Sequence, residues 1–430
     1  MKRVSRRAFL SRSALALGSI GVGGLAAVED GSSAPHPVAT LAQDDAAAAA
    51  QSYRATQAEL ASLIRFDGVH QAGILTDRPM QATFAALDSF APDRATLIDA
   101  LKALSHRSSQ LTVGGAVPVL EIDAPPTDSG ILGPVNMPDN LTVTIAFGAS
   151  LFDDRYGLAT QRPRELTQMP VFPIDALDPA QSHGDVLLQI CANERDTVVH
   201  TLRELLRTVR GTLQLRWVID GFRGAPRGPT PQNNARNLFA FRDGTANPPT
   251  SDAALMNQLT WAGAGEPGWA AGGSYQIVRI IRMHVEFWDR VGLNEQQNMI
   301  GRVRSTGAPL GGTEEFEDPR YDLDPDGKRI PLTAHIRLAN PRTSATADER
   351  FVRRGYNYAR GYDAAGQLDH GLVFVAFNQS PARQFATVQT RLLNEPMIDY
   401  ITPVGGGYFF APPGARGEVD WVGSGLFAAT

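Results

Sequence analysis

The chain has 430 residues, of which 43% are hydrophobic and 20% charged, and its formal net charge is −5. This composition is that of a globular protein with a buried core, and the length favours two domains. The acidic balance argues against binding to nucleic acid or to an anionic membrane, which needs a basic surface. The single cysteine, Cys191, excludes an intrachain disulfide and a cysteine-based zinc site, and its apolar neighbours predict a buried side chain.

The N-terminus has the pattern of an export signal. Arg6 and Arg7 are followed by Phe9 and Leu10, and then by an uncharged run from Ser13 to Val28. This run is shorter than the ~20 residues that span a bilayer, and it is only mildly apolar because Gly and Ala dominate it. The pattern resembles a twin-arginine (Tat) signal, with a Sec signal or a loose anchor as the alternative. We therefore expect Tat export to the periplasm, the cell surface or the extracellular space.

Hydrophobic periodicity predicts strands and helices along both halves of the chain. Strands are predicted at 68–75, 81–90, 141–152, 184–194, the first part of 273–288, and 370–379. Helices are predicted at 93–107, 195–210, the last part of 273–288, and 382–393. Asp93 is the expected N-cap of the first helix. His106 and His200 are expected at the surface because charged residues flank them.

Both halves offer strand–helix–strand units without the regular alternation of a doubly wound parallel sheet. This favours an α+β fold with antiparallel sheets in two similar domains, divided where Gly and Pro concentrate near 224–231. The predicted organisation is an export signal with the start of a linker at 1–42, the rest of the linker at 43–52, an N-terminal domain at 53–225 and a C-terminal domain at 226–430.

The segment FAFRDGTANP (239–248) contains a charged pair between aromatic residues. Arg242 and Asp243 lie in a stretch apolar enough to be buried, and Gly244 and an Asn-Pro turn follow them. A buried carboxylate is costly unless a partner neutralises it or a reaction uses it. Asp243 is therefore a candidate functional acid.

His335 lies in PLTAHIRLANPR, where it and Arg337 alternate with Ile336 and Leu338. The alternation predicts that the imidazole and the apolar side chains point in opposite directions. A lone histidine in such a setting is most often structural. A neutral imidazole is also the commonest metal ligand and a standard axial ligand of haem iron, so both interpretations stay open from the residues alone.

FVRRGYNY (351–358) places two arginines after an apolar pair, which by itself predicts a basic surface patch. Together with Asp243 and His335 it completes the set that peroxide chemistry needs. That set is a ligand for iron, a base that moves a proton between the two oxygens of H2O2, and a cation that stabilises charge as the O–O bond breaks. Arg353 and Arg354 are both candidates for the cation.

The motifs FRDGTANP, GRVRSTGAPLGG (301–312), HIRLANPR and RRGYNY together resemble those of dye-decolorising (DyP-type) haem peroxidases. The resemblance runs from GVHQAGI to PVGGGYFFAPPG, nearly all of the chain after the linker, and is nearest to the exported deferrochelatase/peroxidase subgroup of bacterial iron uptake. The family has a Gly-x-x-Asp-Gly signature, whereas this chain has Ala240 at the first position. The resemblance implies two tandem ferredoxin-like domains, with one haem b held mainly by the second.

By this resemblance Asp243 is the distal acid–base residue, Arg353 is the distal cation, and His335 is the proximal ligand of the haem iron. Asn247 is expected to order a distal water, and Arg302 is expected to reach a haem propionate. The other residues expected to line the haem pocket are Gly244, Thr245, Ala246, Asn340, Pro341 and Arg342.

The resemblance implies an enzyme that uses H2O2 to oxidise bulky phenols, dyes or porphyrin-type substrates. Two alternatives use the same pocket. One is release of iron from haem with the porphyrin intact, and the other is haem binding without turnover, which needs neither Asp243 nor Arg353. Chlorite dismutases, a related haem fold, lack the Asp-Gly signature. Expected partners are H2O2, an organic reductant or haem, the Tat machinery and other components of an iron-uptake system, with homodimer formation left open and nucleic acid excluded.

Overall fold

The structure is a computed structural model that describes residues 63–225, 227, 234–263, 265–417 and 419–428. The predicted export signal and linker, residues 1–52, lie outside this part of the chain. Among the described residues, no helix has both the length and the apolarity needed to cross a membrane.

The described residues form antiparallel strands and mostly short helices. The strands are β1 (Gln81–Ser89), β2 (Gly115–Ala116), β3 (Val135–Asn136), β4 (Thr142–Gly148), β5 (Val186–Ala192), β6 (Leu213–Phe222), β7 (Ser274–Met283), β8 (Val352–Arg353), β9 (Tyr356–Tyr362), β10 (Leu368–Asn378) and β11 (Ile401–Ala411). The α-helices are α1 (Arg94–Val113), α2 (Arg195–Thr208), α3 (Ala253–Leu259), α4 (Val285–Trp288), α5 (Leu293–Ile300), α6 (His335–Ala339), α7 (Thr387–Leu392) and α8 (Ser424–Ala428). A π-helical turn, Ala382–Ala386, leads into α7.

Each half of the chain builds a sheet with the same strand order. The first half is ordered β6-β1-β5-β4 and the second half β11-β7-β10-β9, with α1 and α2 connecting strands of the first sheet. Every pairing is antiparallel, which confirms the predicted α+β fold with two ferredoxin-like sheets. The sheets also meet at both edges, through β4–β11 and β6–β9, so that eight strands form a closed ring.

Side chains alternate between the inside and the outside of this ring, as the two-residue period of a strand requires. In β1, Phe84 packs inside the ring, whereas Leu87 packs with the apolar faces of α1 and α2. In β7, Val278 and Ile280 point inward. The outer face of β7 and β10 is therefore available for a site.

The prediction of a strand at 68–75 is wrong, because this segment is a series of turns and bends. In the part of the chain that the structure describes, the segment makes no backbone hydrogen-bond ladder with a neighbouring strand. It is fixed by side-chain hydrogen bonds. The buried amide of Gln71 donates to the carbonyl oxygens of Ile145 and Pro412 at 2.8 and 3.0 Å, and its oxygen accepts from the Ile145 N–H at 2.8 Å. The predicted cap is confirmed: Asp93 accepts from the Thr96 N–H at 2.8 Å.

The surface position predicted for His200 is also wrong, since only 1% of the residue is exposed. Its Nε2 lies 2.9 Å from Oδ2 of Asp128, in the insertion between α1 and β4 that covers this part of α2. Arg107 of α1 reaches both Asp128 and Glu204, at 3.5 and 3.1 Å. His106 is exposed and Cys191 is buried, as predicted.

Candidate active site

A cavity lies on the outer face of the β7–β10 pair. It encloses about 1520 Å³ of empty space, part of it open to solvent. Cross-strand neighbours form one wall: Ile281 of β7 lies opposite Leu372 of β10, and Arg279 opposite Phe374.

Helical side chains form another part of the lining. Helix α7 and the π-turn before it contribute a stripe at helical spacing, Phe385, Val388, Gln389 and Leu392. Helix α6 packs against α7 and adds His335 and Ile336. The cavity is thus largely apolar, with a few polar groups placed around it.

Asp243 and Arg353 meet in the lining of this cavity. Arg353 Nη1 donates to Asp243 Oδ1 at 3.0 Å, and the two side chains are 29% and 19% exposed. The Asn247 carboxamide donates to the Arg353 carbonyl at 2.8 Å and accepts from the Arg353 N–H at 3.2 Å. Asn247 was expected to order a distal water. In the structure its amide fixes the backbone that carries the cation.

Arg353, and not Arg354, is the arginine at Asp243. The Arg354 side chain is buried and donates to the backbone carbonyls of Thr76 and Asp77. Successive residues of β8 and the segment after it point to opposite sides, so the two arginines separate. Arg354 anchors a loop of the first half, whereas Arg353 faces the cavity.

His335 begins the short helix α6, so the extended alternation predicted for 335–338 is wrong. Its Nδ1 lies 2.6 Å from Oε2 of Glu395, a residue only 3% exposed. A proton on Nδ1 satisfies the carboxylate and leaves Nε2 as the unprotonated nitrogen. Glu395 is a functional residue that the sequence reasoning missed. Its one signal is a lone acid before Pro396 at the end of an apolar helix.

Glu315 is the second residue that was missed. It forms an ion pair with Arg242 at 3.2 Å, and both side chains are 1% exposed. The Glu315 carboxylate also accepts from the Thr245 hydroxyl at 2.9 Å and from the Asn234 amide at 2.8 Å. It therefore holds the residues on either side of Asp243 in place. Nothing in the acidic run around Glu315 distinguishes it from its exposed neighbours in sequence.

Four of the other predicted pocket residues line the cavity: Thr245, Ala246, Arg302 and Asn340. Gly244, Pro341 and Arg342 are not among the lining residues of the described chain. Arg302 Nη1 donates to two backbone carbonyls at 2.7 and 2.9 Å, and burial lowers its pKa from the usual value. Arg342 Nη1 lies 3.6 Å from Asp318 Oδ2.

The loop before Asp243 contains an unusual backbone conformation at Ala240. Its φ is +68°, in the left-handed region that favours glycine. The turn is fixed by Asn237, whose side-chain oxygen accepts from the N–H groups of Phe239 and Phe241 at 3.1 Å each. The Gly-x-x-Asp-Gly signature thus has alanine at a position where the backbone conformation suits glycine.

The cavity's chemistry fits haem. A planar apolar macrocycle needs apolar walls, its anionic side groups need cations, and its iron needs a nitrogen ligand. The cavity offers aromatic and aliphatic walls, and the imidazole of His335, whose Nδ1 faces Glu395. Its arginines are Arg242, Arg279, Arg302, Arg350 and Arg353.

The fold and the cavity together define an α+β protein built for a planar iron cofactor, with an acid–cation pair suited to peroxide. The chain belongs to the DyP-type peroxidase family. The model of the family's N-terminal part matches residues 71–223, and that of its C-terminal part matches residues 234–416. DyP-type peroxidases are haem enzymes, and haem is the cofactor of this chain.

Relatives and solved structures agree with this assignment. The chain is 48% identical over 367 residues to a protein from Yersinia pestis named deferrochelatase, covering 85% of each chain, and 48% identical over 366 residues to a deferrochelatase from Escherichia coli K12, covering 84% and 86%. A DyP-type peroxidase from Cellulomonas bogoriensis superposes with a TM-score of 0.75 at 36% identity, over 85% of this chain and 98% of that one. Ferric DtpA from Streptomyces lividans gives a TM-score of 0.76 at 32% identity, over 85% and 96%.

Proposed function

We propose that the chain is a haem b peroxidase that uses H2O2 to oxidise bulky phenolic or dye substrates. His335 is the iron ligand, and Asp243 and Arg353 are the catalytic pair. One observation carries the proposal: all three side chains line the same cavity, with Asp243 and Arg353 hydrogen-bonded to each other. A haem carrier needs the histidine alone, so the acid–cation pair favours turnover.

Haem bound in the cavity supplies the iron centre at which the O–O bond of H2O2 is broken. The ionised Asp243 carboxylate takes a proton from one peroxide oxygen and returns it to the other, which leaves as water. Arg353 stays protonated in any protein environment and stabilises the negative charge that develops on the leaving oxygen. The hydrogen bond between the two side chains keeps the base and the cation in position before peroxide arrives.

Glu395 determines how His335 acts. Accepting the Nδ1 proton would fix the ring orientation and the tautomer, and would leave the Nε2 lone pair to bind the haem iron. The negative charge of a buried carboxylate also makes the imidazole a stronger donor.

An absorption spectrum of the purified protein tests the iron ligand. The wild-type protein should show a Soret band, and His335→Ala should lose the haem or hold it loosely. His106→Ala, at an exposed position on α1, is the matched control and should keep a wild-type spectrum. Full haem retention with an unchanged Soret band in His335→Ala would show that another residue binds the iron.

A second function, release of iron from haem with the porphyrin intact, is favoured by the relatives that carry the name deferrochelatase at 48% identity. Here haem is a substrate. Incubation with haem should then yield free iron and fluorescent protoporphyrin in equal amounts. If Asp243→Asn abolishes peroxide turnover but leaves porphyrin formation unchanged, the two activities use different groups.

The N-terminal sequence supports export by the Tat pathway to the periplasm or cell surface, because Arg6 and Arg7 precede a short, weakly apolar run. The two ferredoxin-like sheets support a division of the chain into domains at 53–225 and 226–430. Components of an iron-uptake system are the partners that this location and the deferrochelatase relatives favour.

A further inference from the structure

We propose that Arg78, from the N-terminal half of the chain, is a positioning residue for Asp243: it fixes the backbone of the catalytic pair and adds a second positive charge beside the carboxylate. The proposal rests on the peroxidase function proposed above. Sequence reasoning placed the site in the C-terminal half, whereas Arg78 lies in the segment matched by the family's N-terminal model.

The Arg78 guanidinium bridges the two segments that carry the pair. Its Nη1 donates to the Gly355 carbonyl at 3.0 Å, and its Nη2 approaches the Asp243 carbonyl at 3.5 Å. Gly355 follows Arg353 by two residues. A methyl group on Gly355 would lie 3.3 Å from Asp243 Oδ2, so the carboxylate lies directly against this backbone. A single side chain thus links the acid's loop to the strand of its cation.

Asp243 lines two cavities, and Arg78 lines only the smaller. The smaller cavity encloses about 230 Å³ of empty space, part of it open to solvent, against about 1520 Å³ for the large one. Its lining includes Arg78, Arg223 and Arg236, and Asp243 is the one acid among the described residues that line it. Arg353 lines the large cavity and not the smaller one. Asp243 therefore shares the smaller cavity with Arg78 and the larger one with Arg353.

The loop that carries Arg78 is itself held firmly. Arg223, just after β6, donates to the Arg78 carbonyl at 3.0 Å, and Arg354 donates to the preceding carbonyls of Thr76 and Asp77. Burial lowers the pKa of Arg78, and the nearby charge of Asp243 opposes that shift. Opposite charges on Arg78 and Asp243 thus attract each other.

The test compares Arg78→Gln with Arg78→Lys, which keeps the charge, in the haem-loaded enzyme. The measurement is the pH dependence of H2O2 consumption. Charged groups around Asp243 are Arg353 on β8, Arg78 on the loop before β1, and Arg223 and Arg236 across the small cavity. Removing one cation makes the base easier to protonate, so the acidic limb should move to higher pH by about one unit in Arg78→Gln, with little movement in Arg78→Lys.

Arg354→Gln is the matched control, because it loosens the same loop without lining either cavity. It should lower the Tm and leave the acidic limb in place. An equal shift in Arg354→Gln and Arg78→Gln would reduce Arg78 to a structural role and overturn the proposal.

A second readout needs no haem and no activity. In the protein without cofactor, Arg78→Gln should lower the Tm less in an Asp243→Asn background than in the wild type. The reason is that Asp243→Asn has already removed the carboxylate charge with which Arg78 interacts. Equal losses in both backgrounds would contradict the proposal. If the protein proves not to be a peroxidase, this comparison of Tm values still measures the interaction between Arg78 and Asp243. If Arg78→Gln does not fold, Arg78→Met, which also removes the charge, provides the same comparison in both backgrounds.

Discussion

Arg353 Nη1 lies 3.0 Å from Asp243 Oδ1, across a sequence separation of 110 residues. One partner comes from a loop and the other from a two-residue strand, and the Asn247 amide ties the loop to that strand's backbone. The pair is therefore set by the fold and not by local sequence. Substitutions at either member should change peroxide chemistry far more than stability.

We expect Arg353→Leu to slow the peroxide-dependent step by about 10²-fold or more, since it removes charge stabilisation at the breaking bond. Asp243→Asn should also slow it, since an amide cannot accept the proton. Stopped-flow absorbance after mixing with H2O2 measures both. Arg210→Leu is the control: it removes an exposed arginine that does not line the cavity. Unchanged rates in both pair variants would remove the catalytic assignment and favour a haem carrier.

Glu395→Gln tests the carboxylate behind His335. The amide keeps the shape but lacks the charge, so we expect a loss of about 10–100-fold in haem affinity or turnover. Transfer of haem to excess apomyoglobin measures the affinity. The control is Glu349→Gln, another acid in the cavity lining, which pairs with Arg391. Similar transfer rates for the wild type and Glu395→Gln would show that the imidazole needs no charged partner.

Five of the eight strands of the ring, β1, β4, β5, β7 and β10, and the long helices α1 and α2 were predicted because their signals are local, whereas β6, β9 and β11 were not predicted. Runs of apolar residues mark β1, β5 and β10, and Asp93 marks the start of α1. The segment at 68–75 has the same apolar character, and it is a loop because Gln71 bonds to β4 through its side chain. No pattern within the segment contains that information.

The residues of the candidate site also fall into those that the sequence identifies and those that only the fold reveals. Asp243 and His335 lie in motifs, so the sequence identifies them. Glu395, Glu315 and Arg78 lie in ordinary contexts and act through contacts with residues far away in sequence. Each is a buried or half-buried charge whose partner only the folded chain reveals. Sequence reasoning finds the candidate reactive groups and misses the charged residues that contact or flank them.

Ala240→Gly should stabilise the protein. At φ +68° an alanine is strained by about 1–2 kcal/mol, and the greater freedom of glycine in the unfolded chain offsets part of the relief. We expect a net gain of about 0.5–1 kcal/mol in the free energy of unfolding, measured by urea titration. Ala246→Gly, in the same loop but not among the residues with positive φ, should instead destabilise. If Ala240→Gly lowers the free energy of unfolding as much as Ala246→Gly does, Ala240 is not strained.

Replacing Arg6 and Arg7 by lysine should block export and leave folded protein in the cytoplasm, because the Tat route reads the arginine pair. Cell fractionation followed by immunoblotting measures the exported share. Arg3→Lys, an arginine outside the pair, is the control and should be exported normally. Normal export of the double variant would indicate a Sec signal.

The buried cluster around His200 should make stability depend on pH. Burial opposes the ionisation of Asp128, yet its pKa is lowered, because the Gly130 N–H, His200 and Asn136 donate to its carboxylate. A lowered folded-state pKa gives stability that is present above the unfolded value of about 3.9 and is lost as the pH falls through the folded value.

Asp128→Asn should therefore cost about 1–3 kcal/mol at pH 7, and its Tm should converge with that of the wild type below about pH 4. Thermal unfolding across pH 3–8 measures both. Asp99→Asn is the control, since its exposed position on α1 should make the change nearly neutral. A Tm difference for Asp128→Asn that persists undiminished at low pH would mean that lost packing, and not the charge, explains the destabilisation.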